Sequence, residues 1–138
     1  MITIQEPKDI LAISVSNILS FRKDEEYYNL VKDWNKTIVL DITDLYPLTI
    51  IFEGDNVKFE QGDLNKYDVR LKTDLNTLLD LAFRRIGVVS AVLKGRLKIK
   101  GKLKIGTLLK LMKIFFKSLK DVANNQNKNY YEQDKDIR

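Results

Sequence analysis

The sequence contains no cysteine and no histidine. Without cysteine there is no disulfide, no thiolate metal ligand and no thiol nucleophile. Without histidine, the side chain that most often serves as general base and as metal ligand is also missing. Carboxylates remain, but the acidic residues between Asp41 and Asp63 are dispersed over predicted turns and polar strand faces, without the spacing of a metal-binding loop. We therefore expect no metal, no cofactor, no catalytic residues and no enzymatic activity.

Long hydrophobic runs and targeting features are missing as well. The uncharged segment Ile10–Phe21 is too short to cross a bilayer as a helix. The N-terminus carries Glu6 and Asp9 where a signal peptide would be basic. At 138 residues, 44% of them hydrophobic, the chain is long enough for one domain with its own core. We therefore expect a cytoplasmic protein with an N-terminal helical segment (1–23), one domain (24–123) and a polar C-terminal tail (124–138).

The basic residues are distributed unevenly. Residues 84–120 contain 12 of the 24 Lys and Arg residues and no Asp or Glu, so they carry +12, while the remainder, with all 19 acidic residues, carries −7. Such a division predicts a polarised molecule with one face suited to an anionic partner. A basic surface that is merely solvated is the alternative.

Alternation with a period of two predicts strands, because successive side chains of a strand point to opposite faces. One face is apolar and the other largely polar, as in an antiparallel sheet covered on one side. In the last strand, LKGRLKIKGKLKIG, a basic row alternates with an apolar row. The lysines of this row could also protect an exposed edge strand from pairing with another chain. The predicted strands are Thr37–Ile42, Leu48–Glu53, Asn56–Glu60, Asp68–Thr73 and a fifth within Leu93–Gly106.

Apolar residues at helical spacing predict helices elsewhere. Asp24 and Asp74 are candidate N-caps of two of them. The last helix, Ile105–Lys120, combines a lysine stripe with an apolar arc wider than packing on one sheet face requires. This pattern is typical of a helix that covers an apolar ligand or lies on a membrane surface. An ordinary core helix is the alternative. The other predicted helices are Ile10–Phe21, the segment from Asp24 to Trp34, the segment from Asp74 to Phe83, and Ile86–Leu93.

The order of these elements, together with two motifs, resembles the sterol carrier protein type 2 domain family. The motifs are DVRLKTDLNTLLDLA, a strand leading into a helix, and LKGRLKIKGKLKIGTLLKL, a strand leading into the last helix. The resemblance spans Asp24–Lys120. It implies a sterol-carrier-protein-like α+β fold, in which helices cover one face of a five-stranded, mainly antiparallel sheet and an apolar ligand tunnel lies between the layers. Members bind lipids such as sterols, fatty acids, acyl-CoAs, phospholipids or isoprenoids. The chain ends in DIR rather than S-K-L, and its segment Met1–Lys23 departs from the family pattern, so neither sterol as the cargo nor a peroxisomal location is expected.

From the resemblance and the apolar helices we expect a non-enzymatic protein that binds one lipid and transfers or presents it. The basic residues would draw it transiently to anionic membranes. The predicted lipid-binding residues are Leu78, Leu81, Ala82, Ile86, Val89, Leu93, Leu108, Met112, Phe115, Phe116 and Leu119. The predicted membrane-docking residues are Arg96, Lys98, Lys100, Lys102, Lys104, Lys110, Lys113 and Lys117.

Two other functions stay open at this point. One is an accessory or scaffold protein that binds a lipid-modifying enzyme. The other is a nucleic-acid-binding protein whose basic strand and helix contact phosphates. The second is the less favoured, since no aromatic residue stands beside the lysines to stack on a base and no recognised nucleic-acid motif is present.

Overall fold

A mixed sheet forms one layer of the molecule. The computed structural model describes residues 2–63, 66–101 and 104–124. Its strands are β1 (Thr3–Ile4), β2 (Asn35–Ile42), β3 (Pro47–Glu53), β4 (Asn56–Gln61), β5 (Val69–Thr73) and β6 (Lys98–Gly101). They lie in the order β1-β4-β3-β2-β5-β6. The pairs β2–β3, β3–β4 and β5–β6 are antiparallel, whereas β2–β5 and β1–β4 are parallel.

The expectation of a five-stranded, mainly antiparallel sheet was wrong. In the described residues the sheet has six strands of mixed direction. The two residues of β1 are too few for a period-two pattern to be visible, yet they occupy the free edge of β4. After β4 the chain therefore crosses to the opposite edge of the β2–β3–β4 meander, where β5 pairs with the free edge of β2. Because β5 runs in the same direction as β2, this pair is parallel.

Alternation within the central strands determines which face is buried. Across β2 and β3, Ile38 lies opposite Ile50 and Leu40 lies opposite Leu48. All four side chains are buried on the face that the helices cover. The other face, which we call the outer face, carries mostly polar residues. One of them, Thr49, is buried and donates a hydrogen bond of 2.9 Å to the carbonyl of Gly62, in the segment that leaves β4.

Three of the helices have an aspartate side chain as their N-cap. The helices are α1 (Ile10–Phe21), α2 (Glu25–Val31), α3 (Leu75–Ala82), α4 (Val88–Leu93) and α5 (Ile105–Leu111). The carboxylates of Asp9, Asp24 and Asp74 accept hydrogen bonds from the backbone N–H three residues later, at 2.9, 3.0 and 2.7 Å. Each bond satisfies a donor that the first turn leaves unpaired. The predicted caps Asp24 and Asp74 are therefore confirmed.

The last helix is irregular in its middle. After α5 the chain forms a π-helical segment, Met112–Phe116, and continues as α-helix over residues 117–124. We call residues 105–124 the C-terminal helix. The consecutive residues Ile114, Phe115 and Phe116 are all buried, although in a plain α-helix three neighbours spread over about 200°. A π-turn places one extra residue in the turn. The helix predicted over Ile105–Lys120 is present, but the π-helical segment in its middle was not predicted.

The predicted fifth strand begins later than its alternating sequence. Leu93 ends α4, and Gly95 takes a left-handed turn at φ 72°. The guanidinium of Arg96 then donates to Asp80 at 2.6 Å and to Thr77 at 3.2 Å. Among the described residues, Lys98–Gly101 pairs with β5 as β6. The predicted basic row from Arg96 to Lys104 is therefore not one strand face: Lys104 precedes α5, and Lys102 lies outside the described residues.

The first helix shares the core of the sheet. Its residues Leu11, Ala12, Val15 and Leu19 are buried and belong to the same apolar cluster as the sheet and the C-terminal helix. The boundary expected after residue 23 stays a prediction about domain organisation. Of the expected tail, residues 125–138 lie outside the described residues.

The backbone of Gly101 lies against the neighbouring strand, which leads to a first prediction. Gly101 has φ 122°, and a Cβ built there would lie 2.2 Å from the carbonyl oxygen of Asp68. Gly95 also has a positive φ of 72°, but nothing lies within 4 Å of its Cβ position. Gly95→Ala should therefore cost only backbone strain, about 1–2 kcal/mol. Gly101→Ala should cost about 1–3 kcal/mol more, through the added clash. Urea unfolding measures both, and equal losses would contradict the close approach of β6 to β5.

Candidate lipid-binding site

An apolar interface lies between the C-terminal helix and the sheet. The helix contributes Leu111, Ile114 and Phe115, and the residues that face them from the strands are Ile38, Leu40, Ile50, Phe52 and Leu71. All eight side chains are apolar, and the space left between them is only about 10 Å³. Such a space is at the lower limit for a single water molecule. The tunnel that the resemblance implies is therefore not open among these residues.

The structure places the predicted lipid-binding residues in three environments. Leu81, Ala82, Phe115 and Phe116 are buried. Val89 and Leu93 are 71% and 81% exposed on α4. Within the predicted set, Phe115 lines the closed space. The half-buried members are Leu78, Ile86, Leu108, Met112 and Leu119.

The five strand residues of this interface, on β2, β3 and β5, were missing from the predicted lipid-binding residues. Their signal was nevertheless present in the sequence, since Ile50 and Phe52 alternate with polar neighbours on a predicted strand. On the helix, Leu111 and Ile114 are spaced three apart and face the sheet together. Alternation identifies the buried face of a strand, but it does not identify which helix covers that face.

Apolar ridges remain exposed on the outside of the helices. On α3 and its C-cap, Leu75, Leu79 and Phe83 follow one another at intervals of four residues. On α5, Ile105 and Leu109 are 77% and 55% exposed with the same interval. Residues four apart lie on one side of a helix. Exposed apolar surface of this kind marks interaction sites for lipid, membrane or protein.

A buried arginine connects the α1–α2 corner to the C-terminal helix. Arg22 donates from Nη1 to the carbonyl oxygen of Lys113 at 2.8 Å, within the π-helical segment. Its Nε and Nη2 donate to the two carboxylate oxygens of Asp24 at 3.0 and 2.9 Å. The guanidinium also lies 4.5 Å from the ring centre of Tyr27. Three chain segments are thus held by one cation.

The charge of Arg22 affects its neighbours. The hydrogen bond from Arg22 holds the pKa of Asp24 below its usual value, and the backbone N–H of Tyr27 contributes to the same shift. Burial raises the pKa of Tyr27 to about 12. The hydroxyl of Tyr27 donates to the carbonyl of Leu19 at 2.8 Å. The tyrosine therefore acts here as a neutral, structural side chain.

A surface groove of about 530 Å³ opens beside this arginine. Its lining is Ile2, Leu19, Ser20, Arg22, Lys23, Asp24, Glu25, Tyr27 and Tyr28. The polar groups of Arg22 and Asp24 in this lining are already paired with each other. The groove is therefore a mixed apolar and charged depression at the α1–α2 corner, adjacent to the helix that closes the interface.

The predicted membrane-docking residues lie on two opposite sides of the sheet. Lys98 and Lys100 project from β6 on the outer face, on the opposite side from Ile99, which packs against the core. The C-terminal helix covers the core face, so its exposed Lys113 and Lys117 point away from the sheet in the other direction. Arg96 belongs to neither group, since it is paired with Asp80. The two lysine groups cannot contact one flat surface together.

Metal-binding clusters and membrane-spanning helices are not seen in the part of the chain that the structure describes. No three carboxylates come close enough together there to hold a metal ion. None of the helices described has both the length and the apolarity needed to span a bilayer.

The fold and this apolar interface agree with a match to a family model. The SCP-2 sterol transfer family matches residues 15–116, which is most of the chain. The chain belongs to this family. The expected resemblance and the α+β class are therefore confirmed, and the match includes the end of α1, which the resemblance in sequence did not cover.

Solved structures with the same fold include free-standing domains and one part of an enzyme. The sterol carrier protein domain 2 of Helicoverpa armigera is 18% identical with a TM-score of 0.61, over 85% of this chain and 94% of that one. A UbiJ-SCP2 ubiquinone synthesis protein is 16% identical with a TM-score of 0.54, over 80% and 90%. A stereoselective inverting sec-alkylsulfatase from a Pseudomonas species is 22% identical with a TM-score of 0.56, over 70% of this chain. This chain spans only 15% of the sulfatase. No curated protein sequence matches the chain.

The ion pair of Arg22 and Asp24 leads to a prediction on pH. In the folded protein the pKa of Asp24 lies below 3.8, its value in the absence of partners. The pair therefore stabilises the fold fully above pH 3.8, and this contribution is lost as the pH falls through the lower folded pKa. Asp24→Asn keeps an N-cap but removes the charge. Urea midpoints should favour the wild type at pH 6, and the difference should shrink below pH 4. A difference that stays constant over this range would contradict the ion pair.

Proposed function

We propose that this protein binds one long-chain lipid between the C-terminal helix and the sheet and transfers or presents it without chemical change. The observation that carries the proposal is the wholly apolar interface of eight side chains between two layers. Membership of the SCP-2 sterol transfer family supports lipid as the ligand class. We further propose that the protein acts in the cytoplasm.

A lipid needs the interface to open, because ligand pockets have volumes of about 300–1,000 Å³ and the closed space measures about 10 Å³. The contacts across it are apolar on both sides. A lipid chain that separates helix from sheet therefore replaces apolar contacts by apolar contacts and leaves no buried polar group unpaired. The hydrogen bond from Arg22 to Lys113 lies outside the lining and supports a helix that stays attached while its apolar side moves.

Five of the predicted lipid-binding residues that do not line the closed space form the proposed route to it. Leu108, Met112 and Leu119 are half-buried along the C-terminal helix. Val89 and Leu93 expose apolar surface on α4. Since exposed apolar side chains gain from contact with hydrocarbon, we propose that these residues meet the lipid as it leaves a membrane or a partner.

We propose that the helical side, and not the outer face, docks transiently to anionic membranes. Ile105, Leu109, Lys113 and Lys117 follow one another at intervals of four and are exposed, so one side of the helix is apolar at its start and basic further on. Each lysine near an anionic leaflet contributes about 1 kcal/mol. Lys104, which precedes the helix, and Lys110, Lys113 and Lys117 on it would together give about 4 kcal/mol, which corresponds to roughly millimolar binding. Insertion of the apolar residues would have to supply the rest.

A second candidate function has support of its own. The sulfatase structure carries this fold as one part of an enzyme, and another solved structure is that of a UbiJ-SCP2 ubiquinone synthesis protein. We therefore keep an accessory protein that presents lipid to a lipid-modifying enzyme as the alternative. Weak lipid transfer by the isolated chain, together with co-purification of one enzyme, would favour it.

Lipid binding at the interface can be tested with paired tryptophan variants. Organic extracts of the purified native protein should contain a long-chain lipid in near-equal molar amount, identified by mass spectrometry. Phe115→Trp adds bulk inside the closed interface, so it should cost about 1–3 kcal/mol and abolish uptake of a fluorescent fatty acid. Leu109→Trp places the same ring on the exposed side of the same helix and should leave uptake unchanged. Uptake is measured per folded molecule, from the unfolding curve. Empty extracts with no uptake, or equal uptake by both variants, would contradict the proposed site.

Membrane docking can be tested by co-sedimentation with vesicles. The helical variant combines Lys110→Gln, Lys113→Gln and Lys117→Gln, and its matched control, the outer-face variant, combines Lys72→Gln, Lys98→Gln and Lys100→Gln. Both variants lose three positive charges. The helical variant should bind phosphatidylserine vesicles about tenfold or more weakly, and wild-type binding should weaken as salt shortens the screening length. Equal loss in both variants would mean that net charge, and not the helical side, governs docking.

A further inference from the structure

Four cations lie together on the outer face of the sheet. In the antiparallel pairing of β5 with β6, Lys98 lies directly opposite Lys72, and Lys100 lies directly opposite Arg70. We call these four residues the outer-face cluster. Like charges directly opposite each other on one face of a sheet are destabilising. The sequence thus places two unfavourable pairs side by side.

Only part of this charge is neutralised by the residues that the structure describes. Arg70 donates to the carboxylates of Asp63 and Asp41, the latter at 2.7 Å. These two bonds fix its guanidinium against the sheet. In the described residues, Lys72, Lys98 and Lys100 form no ion pair with a carboxylate. Within the part of the chain that the structure describes, these three lysines therefore have no carboxylate partner that would compete with an anion from solution.

The cluster surrounds a hollow rather than a flat surface. Together with Tyr67, its four members line a concavity of about 250 Å³. Arg70 and Tyr67 are half-buried, while the three lysines are exposed around them. The hollow has a half-buried floor of Arg70 and Tyr67 and a rim of three exposed lysines, which suits a compact anion more than an extended chain.

Protection of the sheet edge accounts for only part of the cluster. β6 is an edge strand, and lysines on such strands prevent pairing with other chains. However, Lys72 and Arg70 belong to β5, which is paired with β2 on one side and with β6 on the other. Protection of the edge does not require cations on this inner strand.

The surroundings of the cluster argue against a membrane as its partner. The large exposed apolar side chains among the described residues lie on helices, at their ends or in the turn at Leu45, and none lies on a strand. Asp41 is the parallel-strand neighbour of Lys72, and Asp63 lies beside Arg70. Two carboxylates within the cluster would be repelled by an anionic leaflet. A small anion can contact the three lysines alone, whereas a leaflet would have to approach the whole face with its carboxylates.

We propose that the outer-face cluster is a binding site for a small phosphorylated molecule, whose phosphomonoester or pyrophosphate group is held by Lys72, Lys98 and Lys100. Lysine donates up to three charge-assisted hydrogen bonds and is a common phosphate ligand. Tyr67 offers its ring and hydroxyl to the rest of the ligand. The site lies across the sheet from the proposed lipid interface, and the inference does not depend on lipid binding.

The test uses the full chain and inorganic pyrophosphate in calorimetric titrations at constant ionic strength. The wild type should bind pyrophosphate. In the outer-face variant the dissociation constant should rise about tenfold or more, since one charge-assisted hydrogen bond is worth roughly one decade in affinity. The helical variant loses the same three charges on the other side and should retain wild-type affinity. Because the outer-face variant removes like-charge pairs, its urea midpoint should equal or exceed that of the wild type, which excludes unfolding as the cause of lost binding.

Three results would overturn the inference. The first is the absence of pyrophosphate binding to the wild type. The second is equal weakening in both variants, which would reflect net charge alone. The third is retention of pyrophosphate binding by the outer-face variant together with loss of its binding to phosphatidylserine vesicles, which would make the cluster a membrane surface. Lipid uptake, measured separately on the same variants, distinguishes failure of this site from failure of the lipid interface.

Discussion

The buried guanidinium of Arg22 is the interaction on which the position of the C-terminal helix depends. The residue is only 8% exposed, and a buried cation without partners would cost several kcal/mol. Its partners come from α2 through Asp24 and from the C-terminal helix through the carbonyl of Lys113. The cation is satisfied only when the α1–α2 corner and the helix are in place together. The α1–α2 corner and the C-terminal helix are therefore coupled through this cation.

The same interaction explains how an irregular helix segment is tolerated in the core. A π-turn disturbs the regular ladder of backbone hydrogen bonds, and unpaired carbonyls would be costly in this environment. Arg22 donates to the carbonyl of Lys113, and the hydroxyl of Ser118 donates to that of Ile114 at 2.5 Å. With these carbonyls satisfied, the segment presents three consecutive apolar side chains inward. The polar contact with Arg22 lies toward the α1–α2 corner, and the apolar contacts lie toward the sheet. The apolar contacts can therefore change while the polar contact is kept.

Local sequence patterns predicted the elements of this fold better than their assembly. Alternation located β2 to β5, and side-chain chemistry located the caps Asp24 and Asp74, because both signals arise within a few residues. The parallel pairing of β2 with β5 depends on contacts between residues 31 apart, such as Ile38 and Val69. The late start of β6, at Lys98, follows the turn at Gly95 and the bond between Arg96 and Asp80. Neither contact can be read from the alternation of residues within a strand.

The residues of the candidate site also divide into those that local sequence patterns predicted and those that depend on distant contacts. Phe115 was predicted at the interface because large apolar residues at helical spacing indicate a buried side, whereas the strand residues facing it, such as Ile38 and Leu71, required knowledge of the layer packed above them. Arg22 was not predicted, since one arginine in a polar stretch between two helices carries no pattern. Its role follows from a carbonyl 91 residues away in sequence.

The positive charge of residues 84–120 shows that the net charge of a segment does not give the charge on one face of the molecule. Lysines that alternate in β6 and lysines that recur along the C-terminal helix have the same sign, but the sheet lies between them and directs them to opposite sides. A field that acts over about 8–10 Å in physiological salt does not combine them across that thickness. Neither side alone holds enough charge for lasting attachment to a membrane, at about 1 kcal/mol for each lysine. Residence on a bilayer would therefore depend on apolar side chains such as Ile105 and Leu109, while the lysines set orientation and encounter rate.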